Sequence, residues 1–135
     1  MSYSLLVVDD NETYRMQVKG YLTDSNMDFI FSEAVDGQDG YEKAQKSLFD
    51  IFVFDLNMPR FNGVELSIKI RELEQYKETP IMIYTTDAQN KLAEKTRSLG
   101  HIIWCIKPME GNHFTRALNR LLTKSKPNLK ITKAS

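Results

Sequence analysis

Four short apolar runs in this chain each stop at polar side chains that a core does not need. Leu5-Leu6-Val7-Val8 runs into Asp9-Asp10, Ile51-Phe52-Val53-Phe54 into Asp55, Ile81-Met82-Ile83-Tyr84 into Thr85-Thr86, and Ile102–Ile106 into Lys107-Pro108. Gathered at one edge, three carboxylates, a hydroxyl and an ammonium could handle a cation and a phosphate together. Two carboxylates about 4 Å apart repel by roughly 4 kcal/mol at an effective dielectric near 20. One lysine does not offset three of them. Mg²⁺ does, because it takes one or two carboxylates together with waters and phosphate oxygens. Lys107 then offers a point charge to a phosphoryl oxygen, Thr85 a hydroxyl donor, and the loop after Asp55 its backbone N–H groups. Asp55 in that company is a phosphoryl acceptor that attacks phosphorus in line and becomes an acyl phosphate.

The elements that must position these residues follow from hydropathy. With Phe29–Phe31 the runs make five strands. Three of them are apolar at consecutive positions, so both faces of the sheet are covered, as in central parallel strands. The run at Phe29 leads to no such polar group and reads as an outer strand. Between the runs, Tyr14, Val18, Tyr21 and Leu22, then Leu66, Ile70 and Leu73, then Phe114, Leu118, Leu121 and Leu122 recur at helical spacing. Asn62-Gly63-Val64-Glu65 has the form of a capping box. Asn11 and Asp87 are expected helix starts, Gly100 a left-handed helix end, and Pro80 the block that stops the third helix. The order (βα)5 with right-handed crossovers predicts an α/β, doubly wound three-layer sandwich. In such a sheet ligands bind beyond the carboxyl ends of the strands, where these polar residues lie.

Composition narrows the function classes. At 135 residues, 41% hydrophobic, the chain is one domain. Eighteen basic and eighteen acidic residues give net charge zero, which argues against direct nucleic-acid binding. The neutrality is uneven: Lys124, Lys126, Lys130 and Lys133 stand in a C-terminal stretch without acids, and the body before it is net acidic. We expect residues 124–135 to be a mobile, Lys-rich tail. No apolar run is long enough to insert in a membrane. The single cysteine, Cys105, fits a reducing, cytoplasmic setting.

These motifs, namely Leu6-Val7-Val8-Asp9-Asp10, the stretch from Phe54-Asp55 through Asn57 to Gly63, Thr85, and Lys107-Pro108, resemble the receiver domain of two-component response regulators over residues 4–123, closest in layout to CheY-like single-domain members. The resemblance implies a parallel five-stranded sheet of order 2-1-3-4-5. It implies phosphorylation of Asp55 by a histidine kinase or histidine phosphotransfer protein. Mg²⁺ would be held by Asp10, Asp55 and the Asn57 carbonyl, with Asp9 acting through water. It further implies a cis Lys107-Pro108 bond, a switch made of Thr85 and Trp104, and tuning of hydrolysis by Asn57, Asp87 and Thr86. Output would pass to a protein target through the face of the fourth helix, fifth strand and fifth helix, where Lys91, Lys95, Trp104 and His113 are expected to be exposed; chemotaxis is one such pathway.

Trp104 departs from the Tyr or Phe usual in the family, and Thr86 from a small residue. His101 and Met109 also differ from the family's Ala and Phe, away from the chemistry. Plainer uses exist for single residues: Asp9-Asp10 as a helix cap, Lys107 snorkelling from the edge, the threonines as β-formers, Trp104 as a half-buried strand residue, Cys105 as a small hydrophobe. The combination at four strand ends outweighs them. Other readings are the N-terminal receiver of a longer regulator, a phosphorelay intermediate, and a binding module that is never phosphorylated. A haloacid-dehalogenase-like phosphatase would need a second Asp where Asn57 stands. The chain is therefore expected to be a switch that catalyses only its own phosphorylation and dephosphorylation, not an enzyme acting on other substrates.

Overall fold

The structure, a computed structural model, describes residues 2–87 and 89–125. Strands β1 (Ser2–Val8), β2 (Asp28–Ala34), β3 (Ile51–Phe54), β4 (Ile81–Thr85) and β5 (Ile102–Ile106) alternate with helices α1 (Glu12–Asp24), α2 (Gly37–Lys46), α3 (Gly63–Glu72), α4 (Asn90–Arg97) and α5 (Gly111–Ser125). All strand pairs are parallel, in the order β2-β1-β3-β4-β5. This is the doubly wound sandwich that the sequence pattern predicts, with β2 on an outer edge.

Side-chain alternation sorts each central strand between two cores. Leu6, Val8, Phe52, Phe54, Ile81 and Ile83 pack with Ala44 of α2 and with Val64, Leu66 and Ile70 of α3. Leu5, Val7, Ile51, Val53, Met82 and Tyr84 face the other way, onto Val18 and Leu22 of α1 and Phe114, Leu118, Leu121 and Leu122 of α5. Each fully buried aliphatic side chain contributes roughly 1.5–3 kcal/mol relative to exposure, so the consecutive apolar residues of β1, β3 and β4 hold both layers to the sheet.

The helix starts at Asn11 and Asn62 are as expected. Asn11 Oδ1 accepts from the N–H groups of Thr13 and Tyr14, and Asn62 forms a reciprocal box with Glu65. Three boundaries differ. α4 begins at Asn90 with Gln89 as its cap, because Asp87 is engaged in the preceding loop: its N–H donates to Thr85 Oγ1 and its carboxylate accepts from Gln89 Nε2. α3 ends at Glu72, well before Pro80, where a 3-10 turn over Glu74–Tyr76 buries the Tyr76 ring. α5 runs to Ser125, two residues into the stretch expected to be tail; residues 126–135 lie outside those described. Gly100 is left-handed at φ 71°, three residues after α4 ends.

Candidate functional site

The last ladder bonds of the sheet set the site. Beyond the strand ends, Asp9 N–H donates to Ala34 O at 3.2 Å, Asp55 N–H to Val8 O at 2.9 Å and Lys107 N–H to Thr85 O at 3.0 Å. Each functional residue is thus one step past a paired strand, with its backbone still tied to the neighbouring strand. Gly63 closes the loop after Asp55 by donating to Leu56 O at 2.8 Å, and its Cα lies so near the Asp55 carbonyl that a Cβ would collide with it. In the same loop Arg60 adopts a left-handed φ of 74°.

Lys107 is the hub. Its Nζ donates to Asp9 Oδ2 at 2.8 Å and lies 3.2 Å from Asp55 Oδ1, with the lysine side chain only 4% exposed. Nζ also stands 3.7 Å from the centroid of the Tyr14 ring. Asp9 Oδ1 accepts the Asn11 N–H at 2.9 Å, and the Asp9 carbonyl accepts from Arg15 Nη1 at 2.7 Å while Arg15 Nε donates to Glu33. Asp10 is exposed, and one oxygen each of Asp9, Asp10 and Asp55 lie within 4.8 Å of one another.

Electrostatics leaves this cluster short of positive charge. Burial pushes the Asp55 carboxyl above its ordinary value and the Asp9 carboxylate adds to that, while Lys107 and a hydrogen bond from Leu56 N–H pull it back only in part. A raised carboxyl pKa means that the folded protein carries ionised Asp55 at a cost. The donor set is all hard oxygen, with the Asp10 carboxylate exposed, and fits Mg²⁺ rather than a softer metal.

Thr85 is buried at the end of β4, and Asn57 and Thr86 are exposed beside the site. The Lys107-Pro108 bond is cis, as the resemblance implies. Trp104 is not an exposed face residue: it is half-buried against the core, because its Nε1–H donates to the buried Thr96 Oγ1 of α4 at 3.1 Å. Lys91, Lys95 and His113 are exposed on that side, as is Ile106. Cys105 is partly buried and its thiol is pushed up by burial, which suits packing rather than reactivity.

Sequence reasoning missed the supports. Tyr84 Oη accepts from Met109 N–H at 2.9 Å and donates to Gln17 Oε1 at 2.9 Å, and the Tyr21 hydroxyl donates to the Met109 carbonyl. Met109, immediately after Lys107-Pro108, is thus gripped from both sides. Tyr14 carried a legible signal: it lies one helical turn past an Asp-Asp pair and so returns over the same edge.

A five-stranded parallel sheet of this order, with an acidic cluster and a buried lysine at its carboxyl edge, defines a doubly wound α/β protein of the flavodoxin-like class. The comparisons are more specific. Residues 5–119 match the sequence profile of the response regulator receiver domain, and the chain belongs to that family. It is 28% identical over 125 residues to the transcriptional regulatory protein SrrA of Staphylococcus aureus, a match that takes in 93% of this chain and 50% of SrrA, so the chain spans about half the length of that relative. Its fold is similar to the Vibrio cholerae chemotaxis protein CheY4, with TM-score 0.80, 31% identity, and coverage of 90% of this chain and 99% of that one. A CheY-like receiver domain from Methanospirillum hungatei has TM-score 0.83 at 19% identity, covering 95% and 99% of the two chains, a likeness of fold alone. Among the described residues no helix is long and apolar enough to cross a membrane.

Proposed function

We propose that this receiver domain is a phosphorylation-dependent switch in a two-component system, with Asp55 as the acceptor. The observation that carries the reading is the bridge from Lys107 to both Asp9 and Asp55, carboxylates held at the ends of different strands. A phosphohistidine on a histidine kinase or phosphotransfer protein is the donor. Asp55 attacks phosphorus, the P–N bond breaks as the P–O bond forms, and the imidazole leaves with a proton from solvent. Lys107 exchanges its Asp55 contact for a phosphoryl oxygen, and the Thr85 hydroxyl, whose oxygen accepts the Asp87 N–H, donates its own proton to another. Asp10, Asp55 and the Asn57 carbonyl would hold Mg²⁺, with Asp9 acting through water; such an ion would supply charge neutralisation for the transferring phosphoryl group. Asn57, Thr86 and Asp87 line the approach and set the hydrolysis rate. Asn57 leaves no general acid for turnover, so the acyl phosphate persists as a signal.

The phosphoryl group shifts the domain between states only by interacting differently with each. We assign the readout to Thr85, Trp104 and the surface of α4, β5 and α5, which binds a protein target in the cytoplasm. The likeness to CheY4 favours a chemotaxis-type output. The match to half of SrrA favours the receiver of a longer regulator as the second reading.

Incubation with Mg²⁺ and acetyl phosphate should add about 80 Da, the mass of one phosphoryl group, as a labile adduct absent from Asp55→Asn. Beryllofluoride should change the fluorescence of Trp104, the single tryptophan. An unchanged mass together with unchanged fluorescence would overturn the reading in favour of an unphosphorylated binding module.

A further inference from the structure

The Lys107 ammonium has three N–H donors and no acceptor. Asp9 Oδ2 at 2.8 Å and Asp55 Oδ1 at 3.2 Å account for two of them, and the side chain is only 4% exposed. Beside them stands an aromatic face: Nζ lies over the Tyr14 ring, 3.7 Å from its centroid, with the Tyr84 ring at 5.8 Å. The negative face of an aromatic ring attracts a cation, and does so most strongly where water is excluded. Tyr14 is put there by the chain itself. Asn11 caps α1 directly after Asp9-Asp10, bonding the Tyr14 N–H, and the ring returns over the edge of the sheet within one turn.

We propose that Tyr14 is a positioning residue that holds the Lys107 ammonium by its ring face while Lys107 changes partners. This inference rests on the receiver reading above. A carboxylate hydrogen bond is directional and is lost when Asp55 becomes an acyl phosphate. The attraction of a ring face is broad, so the ammonium can pivot from Asp55 Oδ1 to a phosphoryl oxygen without leaving it. Tyr14 therefore keeps the cation at the reacting edge before and after transfer. The phenolic hydroxyl has no part in this. An aliphatic side chain of similar reach would fill the space and supply no attraction.

The test compares Tyr14→Phe and Tyr14→Leu in the full chain, with thermal melts to establish that both fold. Three quantities are read: the initial rate of acetyl phosphate labelling with Mg²⁺ by intact mass, the beryllofluoride midpoint of Trp104 fluorescence, and the proton shift of the Lys107 ε-methylene. Tyr14→Leu should slow labelling and weaken beryllofluoride binding by about tenfold. Tyr14→Phe should stay within about twofold of the wild type on both. The ε-methylene protons should be shifted upfield by the ring current in the wild type and Tyr14→Phe, and return toward the ordinary lysine position in Tyr14→Leu. A Leu variant as fast as the wild type, or a Phe variant as slow as Leu, would overturn the role. No adduct on the wild type fails the receiver reading and this role with it; a wild-type adduct with an indifferent Leu variant fails Tyr14 alone.

Discussion

The corner formed by β3 and α3 and the corner formed by β4, α4 and β5 flank the same edge of the sheet and are built to different standards. β3 is buried at all four positions, and α3 opens on a complete capping box and buries Gly63, Val64, Leu66, Ser67, Ile70 and Arg71. α4 is eight residues long, has no side-chain hydrogen bond at its cap, and buries only Thr96 among its described residues. No residue of β5 is fully buried. Local opening costs least where few apolar contacts would be lost. Asp55, the proposed acceptor, thus stands on the well-packed side, and the readout proposed for Trp104 on the side with fewer buried contacts. One device spans the two: the Arg71 guanidinium of α3 donates to the carbonyls of Leu99 and Gly100, on the turn that leads into β5.

Glycine substitutions break this comparison most directly. Gly63→Ala drives a Cβ into the Asp55 carbonyl, where backbone on both sides has no slack, and should cost about 3 kcal/mol in chemical denaturation and displace Asp55. Gly100→Ala, on the readout side, meets no atom within 4 Å; it bears only the left-handed penalty of its φ, about 1 kcal/mol. Equal costs at the two positions would refute the asymmetry.

Alkaline unfolding should give an effect nearly as large. Tyr84 is buried and its phenol is pushed up to about 12, chiefly by burial. The folded state keeps this proton where the unfolded chain loses it near pH 10. Stability should therefore fall as pH rises from about 10 to 12, by about 2–3 kcal/mol at the upper end. Tyr84→Phe should flatten that slope. It should also cost roughly 1 kcal/mol at neutral pH, because the Met109 N–H loses its acceptor.

Trp104→Phe should be the mildest. Thr96 Oγ1 still donates to Ala93 O when the indole donor is gone, so the loss is about 0.5–1 kcal/mol. A cost above that of Gly63→Ala would place the stability of the domain on the readout side.

The central strands were legible because burial on both faces forces consecutive apolar residues, a pattern that Val53 and Ile83 carry without help from distant neighbours. The acids and Lys107 were legible because each follows such a run. The beginning of α4 was not, since Asp87 competes for the loop through Thr85 and Gln89, a tertiary preference that its cap propensity does not reveal. For Trp104 the sequence left a half-buried strand residue and an exposed switch residue equally open, because the hydroxyl that receives its indole N–H lies eight residues earlier on another element. The tyrosines around Met109 were invisible for a related reason: Tyr21 and Tyr84 read as core residues, and only the folded chain brings their hydroxyls to one backbone unit.

The Lys107–Asp9 bridge joins residues 98 positions apart. During synthesis Asp9, Asp10 and Asp55 leave the ribosome long before the lysine that balances them. A chain made only as far as β4 therefore has the three aspartates without the lysine that bridges Asp9 and Asp55. Arrival of β5 brings the counter-charge and the last strand in one step. The polar edge is then balanced by its own lysine only when the sheet is complete.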